Sequence, residues 1–415
     1  MELFEDLQWR GLIKDVTDLQ ALKERLKTPV TVYCGFDPTA DSLHIGHLQQ
    51  LFLLRRYYLA GHTVIALMGG ATGMIGDPRP TSERKLQSLE TIEENIKGIA
   101  KQFARLLDVN SDRVILENNH NWLSKMDILS FLRDYGKWFN VSYMIAKDTI
   151  ASRLSSGISF TEFTYTILQA IDWLTLYRNY HCEVQIGGSD QWGNLTSGME
   201  LIRKLEGDKV KVYGITSPLI QKSDGTKFGK SEGGNIWLDP KKTSPYEFYQ
   251  FILNVADADI ISLMKRLSFK SREEIEALEV SLNNEPHKRE AQKALASELT
   301  ELLHGKEGLE SALRITGALF SGDVMALSFE ELSLALADAP KTTVEDGTLL
   351  IDALVLTKAA TSKREARELI QNGSISVNGT KVQDLAFTIQ KQDAHSQKLA
   401  IIKKGRRYWF LLNFA

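Results

Sequence analysis

The stretch TPVTVYCGFDPTADSLHIGHLQQLFLLRRYYLAGHTVIALMGG, residues 28–70, decides the fold. It opens with a β-rich run over 30–35, passes through a turn into apolar residues at helical spacing, and ends in a second apolar run over 63–68. Strand, helix and strand in this order form a βαβ unit. Such a unit predicts a parallel sheet that binds ligands at the carboxyl ends of its strands. Asp41 or Ser42 is the expected cap of the helix.

The composition is that of an ordinary globular protein with two or three domains: 415 residues, of which 25% are charged and 43% hydrophobic. The sequence has no run of about 18 apolar residues that would predict a membrane span. Its acidic, polar start, MELFEDLQWR, differs from a secretory signal. Cys34 and Cys182 lie far apart and match neither a disulfide framework nor a CxxC metal site. We therefore expect a reducing, cytoplasmic location.

The last 70 residues carry an excess of positive charge. They hold 11 Lys and Arg against six Asp and Glu, a net of +5, so with a chain total of −3 the first 345 residues carry −8. An acidic body with a basic tail indicates either an enzyme with a polyanion-binding module or a solvated basic surface.

Two histidines, His44 and His47, flank an Ile-Gly pair at the predicted helix start. As metal ligands they lack a third partner at a recognisable spacing. As core histidines they would lie behind the helix, although the sequence places them at its polar end. As part of an anion site they would lie beside the unpaired N–H groups of the helix, where Gly46 lets a phosphate approach the backbone closely. The three alternatives stay open on this motif alone.

A second motif, SDGTKFGKSEGG over 223–234, is a glycine-rich loop with Lys227 and Lys230. It is typical of a solvated surface loop or of a mobile cationic loop that neutralises a polyphosphate. The dinucleotide fingerprint is absent, since Thr72 stands where GxGxxG needs its second glycine, and no Walker sequence occurs. If the sheet binds a nucleotide, it uses another device.

Polar residues also line one face of the helical stretch FTYTILQAIDW. Tyr165, Gln169 and Asp172 stand at i, i+4 and i+7, so they share a face that is either solvent-exposed or the wall of a polar pocket. The flanking apolar residues favour the pocket. Tyr33 ends the first predicted strand and Asp77 follows the second, both at the sheet edge where ligands bind.

Together these motifs resemble a known family. His44-Ile45-Gly46-His47 is the HIGH signature of the class I aminoacyl-tRNA synthetases, and Lys227-Phe228-Gly229-Lys230-Ser231 is similar to their second signature, KMSKS. Their spacing and most intervening segments resemble a bacterial-type tyrosyl-tRNA synthetase, over nearly the whole chain. The implied fold is α/β, a Rossmann-like doubly wound parallel-sheet catalytic domain followed by an α-helical domain and a small α+β RNA-binding domain. The expected divisions are a catalytic domain over 1–220, a loop and linker over 221–243, a helical anticodon-side domain over 244–325, a linker over 326–345, and a domain resembling the S-four RNA-binding domain over 346–415.

The resemblance also implies roles for single residues. The expected catalytic donors are His44, His47, Lys227 and Lys230. Tyrosine would be bound at its phenol by Tyr33 and Asp172, at its ammonium group by Asp77, Tyr165 and Gln169, and nearby by Gln185 and Gln191. ATP would be bound by Gly35, Asp37, Thr39, His44, Gly46, His47, Gly188, Asp190, Lys227, Lys230, Ser231 and Arg84. Mg²⁺ would accompany ATP as a substrate complex, without a protein-only metal site or a tightly bound cofactor.

The tail and the segment 121–145 complete these expectations. The resemblance implies that the tail binds a tyrosine-specific tRNA through Lys363, Arg364, Arg367, Lys403, Lys404, Arg406 and Arg407. Tyr408 or Trp409 would either stack on a base or pack in the core. The segment 121–145 is expected to be helical, with most of its large apolar residues in the core, and the resemblance implies a homodimer built from this side of the catalytic domain.

Three rivals remain. A tryptophan-specific relative fits Tyr33 and Asp172 poorly, because an indole offers only a donor. A non-catalytic RNA-binding protein that keeps the fold as a scaffold would have no need of the histidines and lysines of the two signatures. A small-molecule adenylate-forming enzyme would not need the basic tail.

Overall fold

The structure is a computed structural model that describes residues 2–78, 86–151, 153–154, 157–231, 234–337, 339–405 and 408–414. The chain forms two compact units, of which the first contains Met1–Thr243 and Phe251–Leu303 and the second contains Ser244–Gln250 and His304–Ala415. The five-segment division expected from the sequence stays a prediction.

The elements alternate between strands and helices in the first 220 residues. The strands are β1 Asp15–Val16, β2 Thr31–Phe36, β3 Thr63–Met68, β4 Val114–Asn118, β5 Cys182–Gly188, β6 Tyr213–Ser217, β7 Lys230–Ser231, β8 Gly234–Asn235, β9 Lys341–Val344, β10 Thr348–Leu349, β11 Ile375–Val377, β12 Thr380–Lys381, β13 Thr388–Ile389, β14 Leu399–Lys404 and β15 Tyr408–Phe414. The α-helices are α1 Leu3–Trp9, α2 Leu19–Arg25, α3 Leu48–Leu59, α4 Thr72–Ile75, α5 Leu89–Leu106, α6 His120–Leu123, α7 Ile128–Ser130, α8 Val141–Ile145, α9 Asp148–Ala151, α10 Phe160–Tyr180, α11 Trp192–Glu206, α12 Pro245–Leu253, α13 Asp257–Leu267, α14 Arg272–Asn284, α15 Glu290–Ser321, α16 Phe329–Ala335, α17 Leu350–Leu356 and α18 Lys363–Gln371. None of the helices in the described ranges is long and apolar enough to cross a membrane.

The first unit is built on a six-stranded sheet in the order β1-β6-β5-β2-β3-β4. The strands from β2 to β6 run parallel and only β1 is antiparallel. The central strands are buried on both faces, as expected for a parallel sheet covered by helices. The chain winds outward in one direction from β2 to β4 and continues on the other side with β5 and β6. The carboxyl ends of β2 and β5 therefore meet at the switch point, where ligands bind in such folds. The predicted α/β parallel-sheet fold is confirmed.

The cap of the first crossover helix differs from the prediction. Neither Asp41 nor Ser42 caps it; the chain instead runs on to a one-turn 3₁₀ helix, Ile45–His47, which leads into α3. His44 caps this 3₁₀ turn, because its Nδ1 accepts from the backbone N–H of Gly46 at 3.1 Å. The rule that favours Ser, Thr, Asp and Asn missed this cap because an imidazole nitrogen can accept the same bond.

Glycine at position 98 is required by the loop that precedes this cap. A Cβ at Gly98 in α5 would lie 2.0 Å from the backbone oxygen of Asp41. We expect Gly98→Ala to lower the free energy of unfolding by about 1–3 kcal/mol, because the clash is with backbone and outweighs the helix propensity of alanine. Gly317→Ala is the control, since its helical site in α15 is open and alanine there should stabilise by up to ~1 kcal/mol. Urea unfolding of both variants measures this, and equal stabilities would contradict the packing argument.

The segment 121–145 is helical in several short pieces, and most of its large apolar residues lie in or against the core of the unit, as predicted. It contains α6, α7, a π-helical turn Phe131–Tyr135, a 3₁₀ turn Gly136–Trp138 and α8. One set of its side chains packs on the core of the unit. A second set, here called the apolar face, is between 49% and 71% exposed: Ile128, Leu129, Leu132, Val141 and Tyr143. The segment carries more large apolar residues than the side facing the sheet can cover.

The second unit holds a five-stranded sheet in the order β12-β11-β14-β15-β9, with a separate β10-β13 ladder. Asn378 and Gly379, with φ of 50° and 83°, form the hairpin turn that joins β11 to β12. Helices α17 and α18 cover the sheet and close its core. Helix α15 is interrupted at Gly305, where φ is 76°.

Candidate active site

A cavity of about 360 Å³ opens in the first unit at the carboxyl ends of β2 and β5. It brings together most of the side chains and backbone positions that the sequence singled out. These are Tyr33, Gly35, Asp37, Thr39, His44, Gly46, His47, Asp77, Tyr165, Gln169, Asp172, Gln185, Gly188, Asp190 and Gln191. Lys227 does not line the cavity. Arg84 and the side chains of Lys230 and Ser231 lie outside what the structure describes.

The deep end of the cavity is built around Asp172, which is only 2% exposed. Its two carboxylate oxygens accept from Asn119 Nδ2 at 2.9 Å and from Trp122 Nε1 at 2.8 Å. Burial raises the pKa of Asp172 to about 7, although both hydrogen bonds oppose this. Tyr33 lines the same cavity, and its buried hydroxyl has no hydrogen-bond partner among the described residues. Burial and then the charge of Asp172 raise the pKa of Tyr33, which keeps its hydroxyl protonated.

Asn119 and Trp122 were not singled out from the sequence. They follow β4 in the polar stretch ENNHNW, at the same carboxyl edge as the residues after β2 and β3. Polar residues directly after a parallel strand were the signal that could have found them.

The middle of the cavity is acidic. Asp77 accepts from Gln191 Nε2 at 2.7 Å, and burial raises its pKa to about 6. The Tyr165 hydroxyl donates to Asp37 at 2.9 Å, and Thr72 donates to the other oxygen of Asp37, also at 2.9 Å. Asp37, expected on the ATP side, thus lies beside the residues expected to hold the ammonium group. Two partly buried carboxylates favour a cation at this point.

The two histidines of the first signature are held as hydrogen-bond donors. His44 Nδ1 accepts from the Gly46 N–H, and His47 Nδ1 accepts from the His44 N–H, both at 3.1 Å. In the neutral imidazoles the proton is therefore on Nε2. The rings lie 4.0 Å apart, and burial, followed by the charge of His44, lowers the pKa of His47 to about 3. Gly46 is required here because a Cβ would come within 2.8 Å of the His44 ring.

The stem of the lysine loop is attached to the first signature through the backbone. The Ile45 N–H donates to the Ile236 oxygen at 2.8 Å, and the Leu238 N–H donates to the Leu43 oxygen at 2.9 Å. Gly229 crosses directly above Ile45, with φ of 101°, and a Cβ there would lie 2.5 Å from Ile45 Cγ2. The two motifs are thus neighbours in space, as a shared polyphosphate site requires.

The basic residues of the tail divide into two groups. Lys363, Arg364 and Arg367 are exposed on α18. The ammonium of Lys403 lies 4.5 Å from the Trp409 ring, and that of Lys404 donates to the Ala359 oxygen at 2.7 Å. Arg406 and Arg407 lie outside the described residues.

The two aromatic residues after them differ. Trp409 packs against the core of the second unit, whereas Tyr408 is 66% exposed. Of the two predicted alternatives, core packing therefore holds for Trp409, whereas the exposed ring of Tyr408 is available to stack on a base.

The comparisons with known proteins agree with this geometry. Residues 24–321 match the family model for the class I tRNA synthetases of the W and Y group, and residues 331–412 match that for the C-terminal domain of the tyrosine–tRNA ligases. The chain belongs to the class I tRNA synthetases. The resemblance expected from HIGH and the lysine loop is thereby confirmed.

Relatives of this class I synthetase cover its whole length. It is 51% identical to the tyrosine–tRNA ligase of Staphylococcus haemolyticus, over 99% of both chains. It is also 51% identical to tyrosine–tRNA ligase 1 of Bacillus cereus, over 100% of both. The crystal structure of a C-terminally truncated mitochondrial tyrosyl-tRNA synthetase from Aspergillus nidulans matches with a TM-score of 0.68 at 33% identity, over 77% of this chain and 94% of that one. The tryptophanyl-tRNA synthetase of Plasmodium falciparum, at 15% identity and a TM-score of 0.54 over 80% of this chain and 87% of that one, shares the fold alone.

Proposed function

We propose that this synthetase activates L-tyrosine with ATP and transfers the tyrosyl group to the 3′ end of a tyrosine-specific tRNA. The observation that carries the proposal is the deep end of the cavity. There a carboxylate, Asp172, is held between two donors, and the Tyr33 hydroxyl has no partner among the described residues. This pair matches a phenol, which both donates and accepts. Phenylalanine would leave the Tyr33 hydroxyl unpaired and would offer no donor to Asp172, and selectivity for tyrosine over phenylalanine is the standard example of that rule in this enzyme family.

The proposed chemistry needs no nucleophile or general base from the protein. The carboxylate of tyrosine attacks the α-phosphorus of ATP, the bond to the β-phosphate oxygen breaks, and pyrophosphate leaves. His44 and His47 would donate from Nε2 to the phosphate oxygens, and Lys227 and Lys230 would neutralise the leaving group. Mg²⁺ would arrive with ATP as part of the substrate. Catalysis then rests on positioning and on stabilising the charge that shifts during transfer.

The deciding experiment is exchange of labelled pyrophosphate into ATP with tyrosine, phenylalanine or tryptophan as the amino acid. Exchange with tyrosine alone supports the proposal. Exchange led by tryptophan would mean that the deep end binds an indole. If no amino acid supported exchange, the remaining candidate would be an RNA-binding protein that uses the fold as a scaffold.

Tyrosine recognition should weaken in acid. The ammonium and the phenol bind the ionised forms of Asp77 and Asp172, whose pKa values are raised to about 6 and about 7 by burial. We expect KM for tyrosine to rise about 20-fold between pH 8 and pH 6. The kcat profile should show no step from His47, whose pKa of about 3 leaves it neutral throughout. Pyrophosphate exchange at each pH tests this, and a constant KM for tyrosine would contradict it.

We also propose that the second unit binds tRNA through exposed cations of α18. Arg364→Glu with Arg367→Glu should raise KM for tRNA about tenfold or more and flatten its salt dependence, because phosphate contacts are lost. Pyrophosphate exchange should not change. Lys306→Glu is the control, a charge reversal at a side chain that is 79% exposed in α15. Equal aminoacylation by all variants would exclude α18 from the tRNA surface.

We propose that this synthetase forms a homodimer through the apolar face. Its large apolar side chains would otherwise remain exposed to water, which is typical of an interaction surface. Leu129→Lys with Leu132→Lys should give a monomer in sedimentation experiments, whereas Leu59→Lys, at a leucine that is 61% exposed on α3, should not.

We also propose a cytoplasmic location, where tRNA and ATP are available and the buried thiols of Cys34 and Cys182 stay reduced.

A further inference from the structure

The first part of the lysine loop is folded as a small hairpin, closed by an antiparallel bridge between Gln221 and Lys227. Its turn, here called the loop tip, consists of residues 222–226. The Lys222 N–H donates to the Thr226 oxygen at 2.8 Å, and the Gly225 N–H donates to the Lys222 oxygen at 2.9 Å. The loop tip is therefore a self-contained turn, whose position depends on what holds it to the rest of the unit.

One side chain of the helical region holds the loop tip. The Ser223 N–H donates to Asp259 Oδ1 at 2.8 Å, and Asp259 lies in the first turn of α13. Among the described residues, this is the one hydrogen bond that connects the loop tip to another element. Directly after the hairpin, Phe228 is 7% exposed and its ring packs against that of Phe251, with the centroids 5.3 Å apart.

This arrangement keeps the two halves of the lysine loop in different places. Gly229 lies against Ile45 of the first signature. Lys227, only two residues earlier, is exposed and does not line the cavity. The proposed chemistry needs Lys227 at the leaving pyrophosphate, so the arrangement in which the loop tip is bound to α13 is a resting one and differs from the reacting one.

We propose that Asp259 is a latch, meaning a positioning residue that holds the loop tip on α13 in the resting enzyme and releases it when Lys227 moves to the pyrophosphate. This inference rests on the proposed activation of tyrosine by ATP. Phe228 is the pivot, because its ring stays packed against Phe251. A contact that exists in the resting enzyme and is absent from the transition state slows the reaction. Loss of the Asp259 carboxylate should therefore accelerate activation, whereas loss of a merely structural contact would not.

The test is pyrophosphate exchange with Asp259→Ala and Asp259→Asn. In Asp259→Ala, kcat/KM for ATP should rise about three- to tenfold, the effect of one partly exposed hydrogen bond. Asp259→Asn should give a smaller rise, because its amide oxygen still accepts but carries no charge. KM for tyrosine should stay within twofold of the wild type in both variants, since Asp259 does not line the cavity.

Asp257→Ala is the matched control. Asp257 lies in the same turn of α13 and carries the same charge, but its Oδ1 accepts from Gln292 Nε2 at 2.6 Å and not from the loop. Its replacement should leave kcat/KM for ATP within twofold of the wild type. A rise in Asp257→Ala equal to that in Asp259→Ala would assign the effect to the charge of the helix end and would overturn the latch.

A cysteine pair tests the same contact in the opposite direction. Ser223→Cys with Asp259→Cys replaces the hydrogen bond by a disulfide, at a place where the two residues are already in contact. The oxidised enzyme should have a kcat/KM for ATP at least tenfold below that of its reduced form. Reduction with dithiothreitol should restore the rate to that of Asp259→Ala. Cys34 and Cys182 are buried and should not compete for the new thiols.

Two further results would overturn the proposal. One is an unchanged or lower kcat/KM for ATP in Asp259→Ala, provided that thermal melting shows the variant to be folded. The other is a cysteine pair that does not crosslink, or whose oxidation leaves exchange unchanged. A wild type without tyrosine-dependent exchange would instead refute the proposed function, and the yield of the crosslink would still test the contact between the loop tip and α13.

Discussion

Replacement of His47 by alanine is expected to lower kcat for pyrophosphate exchange by about 100- to 1000-fold. The imidazole is held by a backbone hydrogen bond at Nδ1, so its Nε2–H is a preoriented donor toward the cavity. Loss of one such donor to a transition-state oxygen costs about 3–4 kcal/mol. KM for tyrosine should change little, because His47 is assigned to the phosphates and not to the amino acid. Initial rates of exchange at saturating tyrosine give the measurement.

The matched control is His62→Ala. His62 is another histidine of the first unit, with a pKa lowered to about 4 by burial, and its Nδ1 likewise accepts a backbone N–H, that of Val30 at 3.2 Å. It does not line the cavity. We expect His62→Ala to lower the melting temperature and to keep kcat within about twofold. Comparable losses of kcat in the two variants would mean that the His47 effect is one of folding rather than of chemistry.

The second large effect is expected for Asp172→Asn, which should reduce kcat/KM for tyrosine by about 100- to 10,000-fold. Both carboxylate oxygens accept from donors, and the indole N–H of Trp122 cannot become an acceptor. An asparagine would bring its own amide protons against one of these donors. The cost is that of an unpaired buried donor, about 1–3 kcal/mol, added to the loss of a charged hydrogen bond to the phenol, about 1.5–3 kcal/mol.

Tyr33→Phe provides the graded comparison. It removes one neutral hydrogen bond of about 0.5–1.5 kcal/mol, so kcat/KM for tyrosine should fall by about tenfold or less and the preference over phenylalanine should narrow. The losses of kcat/KM in the two variants show how much Tyr33 and Asp172 each contribute to binding the phenol. An Asp172→Asn enzyme with near-wild-type kcat/KM would show that the phenol does not bind at this end of the cavity.

The sequence predicted those parts of the site whose residue types and spacing are compatible with few structures or roles. The βαβ unit followed from apolar runs of the right period, and the stripe of Tyr165, Gln169 and Asp172 followed from helical spacing. Asn119 and Trp122 could not be paired with Asp172 in this way. They come from another strand end about 50 residues away, and only the sheet order β2-β3-β4 brings them to the cavity.

Two further differences have physical causes of the same kind. The His44 cap was missed because capping was assigned by residue type, while the atom that matters is any acceptor at the right distance. The exposure of the apolar face was missed because a pattern of large apolar residues does not specify whether a core or a partner covers it. The pattern predicts that such a surface is buried, but it does not identify the element or the partner that covers the surface.

The backbone pairing between the first signature and the lysine loop has a consequence for synthesis on the ribosome. Ile45 and Leu43 find their partners at Ile236 and Leu238, roughly 190 residues later, whereas the last residue proposed to bind the amino acid is Gln191. A nascent chain that has just released β6 therefore contains every described residue assigned to tyrosine but not the loop assigned to the phosphates. The nascent chain would therefore contain the residues proposed to bind tyrosine before it contains the lysine loop proposed to assist the activation of tyrosine.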